Sequence, residues 1–188
     1  MADSTDPLRV LFICTGNICR SPMGEYLLRH RAERDDLPVL SLSAGLTLVD
    51  EPPPGHALTV LGNAGIDASG HRSRRLTPEL VGATDLVIGM TGRHAKEAAV
   101  ADMDAIGRIA TLKEWAQWAH SRPRQDGEPV RDYLASLTAG RSSAMVGTAG
   151  PAYDVDDPYK RRKKFYVKAL NEIDEALSRL VGGLFPHK

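Results

Sequence analysis

Residues 10–28 read VLFICTGNICRSPMGEYLL. An apolar run, continued back to Leu8, gives way without a linker to the small and polar turn Cys14-Thr15-Gly16-Asn17-Ile18-Cys19-Arg20. Leu8 to Ile13 hardly alternates and is rich in branched and aromatic side chains, the pattern of a strand buried on both faces. Ser21 followed by Pro22 is a helix-start signal, a hydroxyl at the N-cap and a proline at the first position. Met23, Tyr26, Leu27 and His30 or Arg31 continue at helical spacing. In an α/β sheet, a strand that ends in a turn and starts a helix sets that turn where ligands bind.

The rest of the chain extends the pattern. Val39 to Leu42 is expected as a second strand, ending at Ser43-Ala44-Gly45. Glu51-Pro52-Pro53-Pro54-Gly55 is a rigid loop before a helix over about 56–64. Asp85 to Met90 is a third strand, with Thr91 capping the helix after it, and Ile106 to Leu112 a fourth. Strands alternating with helices argue for a three-layer α/β fold, a four-stranded parallel sheet with helices on both faces. Between residues 113 and 152, KEWAQWAHSR and VRDYLASL are expected as helices, QDGEP as a turn and RSSAMVGTAGPA as a mobile loop. A closing helix is expected from about Pro158 to Val181, with Phe165, Val167, Leu170, Ile173, Leu177 and Leu180 as its apolar stripe. No repeat or linker divides the chain, so residues 1–188 are expected to form a single domain.

Composition narrows the function. Lys plus Arg and Asp plus Glu number 24 each, so no global field recruits nucleic acid or a membrane. No stretch approaches the ~18 apolar residues of a membrane span. The opening MADSTDP is polar and acidic, unlike a signal peptide. Two cysteines close together are not a secreted disulfide framework, and a cytoplasmic location is expected. The six histidines, at 30, 56, 71, 94, 120 and 187, show no ligand spacing, and no metal is expected.

A helix N-terminus offers unpaired N–H groups and a positive partial charge, so it binds anions. Thr15 to Arg20 can wrap a tetrahedral oxyanion in backbone N–H groups, and the Arg20 fork adds two more donors. Gly16 and Asn17 tolerate the positive φ that so tight a wrap needs. A thiol at that place beside an arginine favours the thiolate, so Cys14 is a nucleophile aimed at phosphorus. The Walker motif and the dinucleotide fingerprint are both absent. An acid for the leaving oxygen lies among Asp154, Asp156 and Asp157, which spacing alone does not separate.

VLFICTGNICRSPMGE near one end and Asp157-Pro158-Tyr159 near the other resemble the low-molecular-weight protein tyrosine phosphatase family. DLVIGM, Ser43-Ala44-Gly45 and GIDASGHRSRRL at 65–76 extend the resemblance over nearly the whole chain except about 113–152, which looks lengthened. The resemblance implies Cys14 as nucleophile, Arg20 as phosphate-binding arginine and Asp157 as general acid. It implies Asn17 as the residue holding the loop, Ser21 as the hydroxyl steadying the thiolate, and Ser43 and His71 as partners of the asparagine. Cys19 matches the neighbour that forms a reversible disulfide with the nucleophile. Ile18, Leu46 and Tyr159 are expected to wall the pocket. No cofactor is implied; the implied partner is a tyrosine-phosphorylated protein, by analogy a bacterial tyrosine kinase.

The chain departs from the family in places: Lys160 follows Tyr159 where an aromatic or glycine is common, LTLVDEPPP carries no aromatic, and Thr15 replaces a bulkier apolar residue. A protein-arginine phosphatase shares the scaffold but carries threonine at the position of Ile18, whose apolar side chain suits a phenyl ring better. An arsenate reductase needs further cysteines. A non-catalytic phosphate-binding adaptor would not need Cys14, Arg20 and Asp157 together. Asp154 and Asp156 are taken as capping or solvated, Trp115 and Trp118 as a packing face. The run Lys160–Lys164 is a solvated helix face that could also dock acidic phosphopeptides.

Overall fold

Strand β1 (Leu8–Cys14) sends its side chains alternately into two cores: Leu8, Val10, Phe12 and Cys14 into one, Leu11 and Ile13 into the other. This is the period-two pleat of a strand covered on both faces. The computed structural model describes residues 6–186, so Met1 to Thr5, His187 and Lys188 lie outside the described residues. β1 is flanked by β2 (Val39–Gly45) on one side and β3 (Leu86–Gly89) on the other, with β4 (Ile109–Thr111) beyond β3. All pairings are parallel, with Cys14 opposite Gly45 and Ile13 opposite Gly89. The C-terminal ends of the strands therefore open on the same side.

Helices α1 (Arg20–Arg34), α2 (Gly55–Asn63), α5 (Leu112–Ser121), α6 (Val130–Leu137) and α7 (Lys163–Leu184) share the Phe12 core. Helices α3 (Pro78–Gly82) and α4 (Gly92–Ala101) cover the other face through Val81, Ala95 and Ala98. The small side chains of α4 let it lie close to the sheet. α1 approaches its face at Gly24, where a β-carbon would stand 2.7 Å from Phe12 Cδ1 and 2.9 Å from Met90 Cε. Thr91 caps α4 as expected, its hydroxyl accepting from His94 N. Thr111 and Glu114 form a full capping box on α5. Trp115 is buried, donates from Nε1 to Val87 O at 3.2 Å and meets Trp118 edge to face.

Several boundaries differ from the sequence expectation. β4 is three residues long because Met103–Arg108 winds into a 3-10 helix capped by the Asp102 carboxylate. α3 was not foreseen, although Thr77-Pro78 is an N-cap followed by proline at N1. α7 starts at Lys163, since Asp157 Oδ1 accepts from Tyr159 N and Arg161 N bonds to Pro158 O, which keeps 157–161 in turns. Its buried stripe is Tyr166, Ala169, Leu170, Ile173, Leu177 and Leu180, while Val167 faces solvent. Residues 141–152, expected as a loop, contain two 3-10 turns, Ser143–Met145 and Pro151–Tyr153, with Val146 buried against α4's core.

Candidate active site

Cys14 ends β1 and is 2% exposed. Ser21 Oγ lies 3.0 Å from its Sγ, and Asn17 N donates to the same sulfur at 3.3 Å. Helix α1 begins at Arg20 with Cys19 at its N-cap and no side-chain cap, so Ser21 does not serve as the N-cap. Its hydroxyl is committed to the loop core instead.

Asn17 holds the turn. It is wholly buried at φ 51°, a left-handed conformation that non-glycine residues reach only when locally compensated. The compensation is complete: Nδ2 donates to Ser43 Oγ at 2.7 Å and Ser21 Oγ at 3.0 Å, and Oδ1 accepts from Arg74 N at 2.9 Å. His71 Nε2 donates to Asn17 O at 2.7 Å. Gly45 is required beside it, because a β-carbon there would lie 2.8 Å from Asn17 N.

One contributor escaped the sequence reading. Ser43 Oγ donates to Glu25 Oε2 at 2.5 Å, and Glu25 is buried in α1 with an ion pair to Arg29. An ionised carboxylate only accepts, so the polarity runs one way. Ser43 gives its proton to Glu25 and accepts from Asn17; Asn17 donates to Ser21; Ser21 can then donate to Cys14 at 3.0 Å, its other acceptor being Ala44 O at the longer 3.4 Å. The signal was present: Glu25 sits four residues after Ser21, on the same helix face.

His94 was also missed. Its buried ring lies 3.0 Å from Thr15 Oγ1 through Nε2 and 2.9 Å from Thr91 Oγ1 through Nδ1. Burial, then the charges of Arg20 and Arg93, pull its pKa down to about 3, so the ring is neutral at physiological pH. The two cysteines are chemically distinct: burial, then the neighbouring Cys14 and Asp157, push the Cys19 thiol up to about 12.

Arg20 is buried yet reaches across to the far end of the chain. Nη2 pairs with Asp157 Oδ2 at 2.6 Å and Nη1 donates to Val155 O at 3.1 Å, while Nε, also buried, has no acceptor. The Asp157 side chain is 49% exposed, so this pair is open to rearrangement. Of the other two acids, Asp154 accepts from Gly92 N at the start of α4 and Asp156 pairs with Lys168. Both assignments as capping or solvated carboxylates agree with this placement.

Cys14, Thr15, Gly16, Ile18, Cys19, Arg20, Asp157 and Tyr159 line a cavity of about 210 Å³. Its remaining wall is Thr47 and Leu48, not Leu46, which turns to the α3–α4 core. The shift follows from a break in the alternation after β2: Leu46 N and Thr47 N both bond to Thr15 O, so Leu46 and Leu48 face opposite ways and Leu48 turns to the mouth. A larger cleft of about 550 Å³ near Arg108 and another near Tyr153 contain neither cysteine. No group of three or more His, Cys, Asp or Glu side chains able to hold a metal occurs among the described residues.

A cysteine closing the central strand of a parallel sheet, at the floor of a cavity made by the strand-to-helix turn, places the fold among the cysteine-based phosphatases. The chain belongs to the low molecular weight phosphotyrosine protein phosphatase family, whose sequence model matches residues 9–133. It is 36% identical to the low molecular weight protein-tyrosine-phosphatase Etp of Escherichia coli (strain K12) over 110 residues, 57% of this chain and 71% of that one. It is 40% identical to the protein-arginine-phosphatase of Bacillus subtilis (strain 168) over 115 residues, 59% of this chain and 74% of that one. The crystal structure of a YwlE mutant from Bacillus subtilis superposes with a TM-score of 0.71 at 29% identity, covering 94% of this chain and 98% of the other. The family match stops before Asp157, which the structure places against Arg20.

Proposed function

We propose that the chain hydrolyses protein phosphotyrosine in two steps, with Cys14 as nucleophile, Arg20 as the phosphoryl-binding arginine and Asp157 as the acid. The observation that carries the proposal is the Cys14 sulfur under two donors, Ser21 and Asn17 N, at the floor of the cavity that Arg20 and Asp157 close. The carbonyls of Thr15, Asn17 and Cys19 are engaged by Leu46 N, His71 and Met23 N, and Asn17 N is on the Cys14 sulfur; the other N–H groups between Thr15 and Arg20 are the donors for the phosphoryl oxygens. Arg20 Nε gains its acceptor from one of them, and the fork releases Asp157.

In the first step Sγ–P forms as P–O breaks, and Asp157 gives its proton to the leaving phenolate. In the second, a water oxygen attacks phosphorus, Asp157 takes the water's proton and Cys14 leaves as thiolate. Ile18, Leu48 and Tyr159 give the cavity apolar walls. A dry cavity of about 150 Å³ holds benzene, so one of about 210 Å³ suits an aromatic ester. These walls favour phosphotyrosine over the charged guanidinium of phosphoarginine.

Nucleophile and acid come from opposite ends of the chain, which supports a single catalytic domain over residues 1–188. A cytoplasmic location fits two buried free cysteines and the lack of any helix among the described residues long and apolar enough to cross a membrane. The partner proposed is a tyrosine-phosphorylated protein, of which a bacterial tyrosine kinase is one candidate. Turnover of a phosphotyrosine peptide in EDTA should vanish in Cys14→Ser and fall about 10²–10⁴-fold in Asp157→Ala. Preferential turnover of phosphoarginine would overturn the substrate, and binding of phosphate without turnover would overturn the catalysis.

A further inference from the structure

Five consecutive cations, Lys160, Arg161, Arg162, Lys163 and Lys164, follow directly on the cavity wall, and all five are exposed. None forms an ion pair among the described residues, in a chain whose cationic and acidic residues balance overall. The nearest carboxylates are already committed, Asp156 to Lys168 and Asp157 to Arg20. The cations rest on aromatic faces instead: Lys160 lies 5.4 Å from the Tyr159 ring centroid, Arg161 3.5 Å and Lys164 5.2 Å from that of Phe165.

Fold stability does not account for the cluster. Lys163 and Lys164 occupy the first turn of α7, which has no acidic residue there and no side-chain cap. Cations at that end oppose the helix dipole. Lys160 holds a left-handed φ of 59°, where glycine would sit without strain. Across the mouth, Thr47 and Leu48 are uncharged and lead to exposed Asp50 and Glu51. Exposed Arg72 and Arg75 flank Ser73, which binds both Asp50 and Glu51, so the uncompensated charge at the mouth is the cationic run beside Tyr159.

We infer that residues 160–164 dock acidic side chains flanking the phosphorylated residue, so that the preferred substrate is a phosphotyrosine segment rich in Asp and Glu. The inference rests on the reading of the Cys14 cavity as a phosphotyrosine site. A peptide entering that cavity lays its flank on the cluster, whereas a flat anionic membrane seated there would cover the cavity mouth. The attraction acts within a Debye length and speeds encounter.

The test compares kcat/KM for a glutamate-flanked phosphotyrosine peptide, its glutamine-flanked counterpart and p-nitrophenyl phosphate. The wild type should favour the glutamate peptide about tenfold at low salt, and added salt should erase the preference. Arg161→Gln/Lys163→Gln/Lys164→Gln should lose the preference and keep its rate on p-nitrophenyl phosphate. Lys163→Glu/Lys164→Glu should raise the melting temperature by satisfying the helix dipole while slowing the glutamate peptide, opposite signs that a damaged fold cannot produce. Equal kcat/KM for the two peptides, with p-nitrophenyl phosphate turned over normally, overturns the docking role alone. Binding to phosphatidylserine vesicles without a peptide preference also overturns it, in favour of a membrane. A wild type that turns over none of the three removes the phosphatase reading and this one with it.

Discussion

The imidazole of His94 bridges the hydroxyls of Thr15 and Thr91, and so ties the catalytic turn to the cap of α4. Only a neutral ring can do this with one nitrogen donating and the other accepting. Unfolded, the ring takes a proton near pH 6.5; folded, it resists until about 3. The unfolded state thus binds more protons in that window, and stability present above pH 6.5 is lost as pH falls through it. One proton gives a slope of about 1.4 kcal/mol per pH unit. Urea unfolding of the wild type and of His94→Asn, from about pH 7 to pH 4, should show a shallower slope in the variant. Parallel slopes would mean that His94 is protonated equally in both states. His94 was illegible in the sequence because it works through Thr15, far along the chain, whereas Glu25 left a signal in its spacing from Ser21 and only its tie to Ser43 was hidden. Cys14, Arg20 and Ser21 were legible because a single turn brings them together. Asn17 showed its tolerance of left-handed φ, and the resemblance named Ser43 and His71 as its partners, but its tie to Arg74 needed the assembled sheet.

At the scale of elements, α1 must lie close to β1 for the turn between them to be tight. Gly24 permits that approach, with Phe12 and Met90 where a β-carbon would go. Both are wholly buried, but the end of the flexible Met90 side chain can yield whereas the Phe12 ring cannot. Gly24→Ala should destabilise by about 1–3 kcal/mol through overpacking, offset in part by about 1 kcal/mol of helix propensity. Its denaturation midpoint should fall; a midpoint at or above the wild type's would show that α1 has room to shift. The strands were readable because burial on both faces leaves an apolar run that local turns bracket, as at Leu8–Cys14 and Leu86–Gly89. Where a short side chain redirects the backbone, the reading failed. Asp102 turns the approach to β4 into a 3-10 helix, and Asp157 holds back the start of α7. Leu46 was misplaced for a related reason, since its amide is drawn to Thr15 O and its side chain to the opposite core.

Across the whole molecule, the parallel sheet collects at one edge groups that the chain keeps far apart. β1 delivers Cys14, the segment after β2 delivers Thr47 and Leu48, and the cap after β3 delivers Thr91 and His94. Asp157, the proposed acid, arrives last and belongs to no strand, so something must hold its segment to the sheet. Val155 N bonds to Met90 O at 2.8 Å, Asp154 Oδ1 accepts from Gly92 N at 2.8 Å, and Lys113 Nζ donates to Asp154 O at 2.7 Å. Lys113 itself is fixed to Glu172 of α7 at 3.2 Å, so α4, α5 and α7 all bear on the acid's position. Asp154 contributes the side-chain tie to α4, and Asp154→Ala cuts that bond without touching the phosphate turn. A displacement of about 1 Å can cost two orders of magnitude in rate, so kcat on a phosphotyrosine peptide should fall about 10–100-fold. Competitive inhibition by inorganic phosphate, which reports the turn and Arg20, should stay as in the wild type. Loss of both together would mean that the segment also shapes the phosphate turn, through Arg20 Nη1 on Val155 O. An unchanged kcat would show that the backbone ties of Val155 position Asp157 unaided.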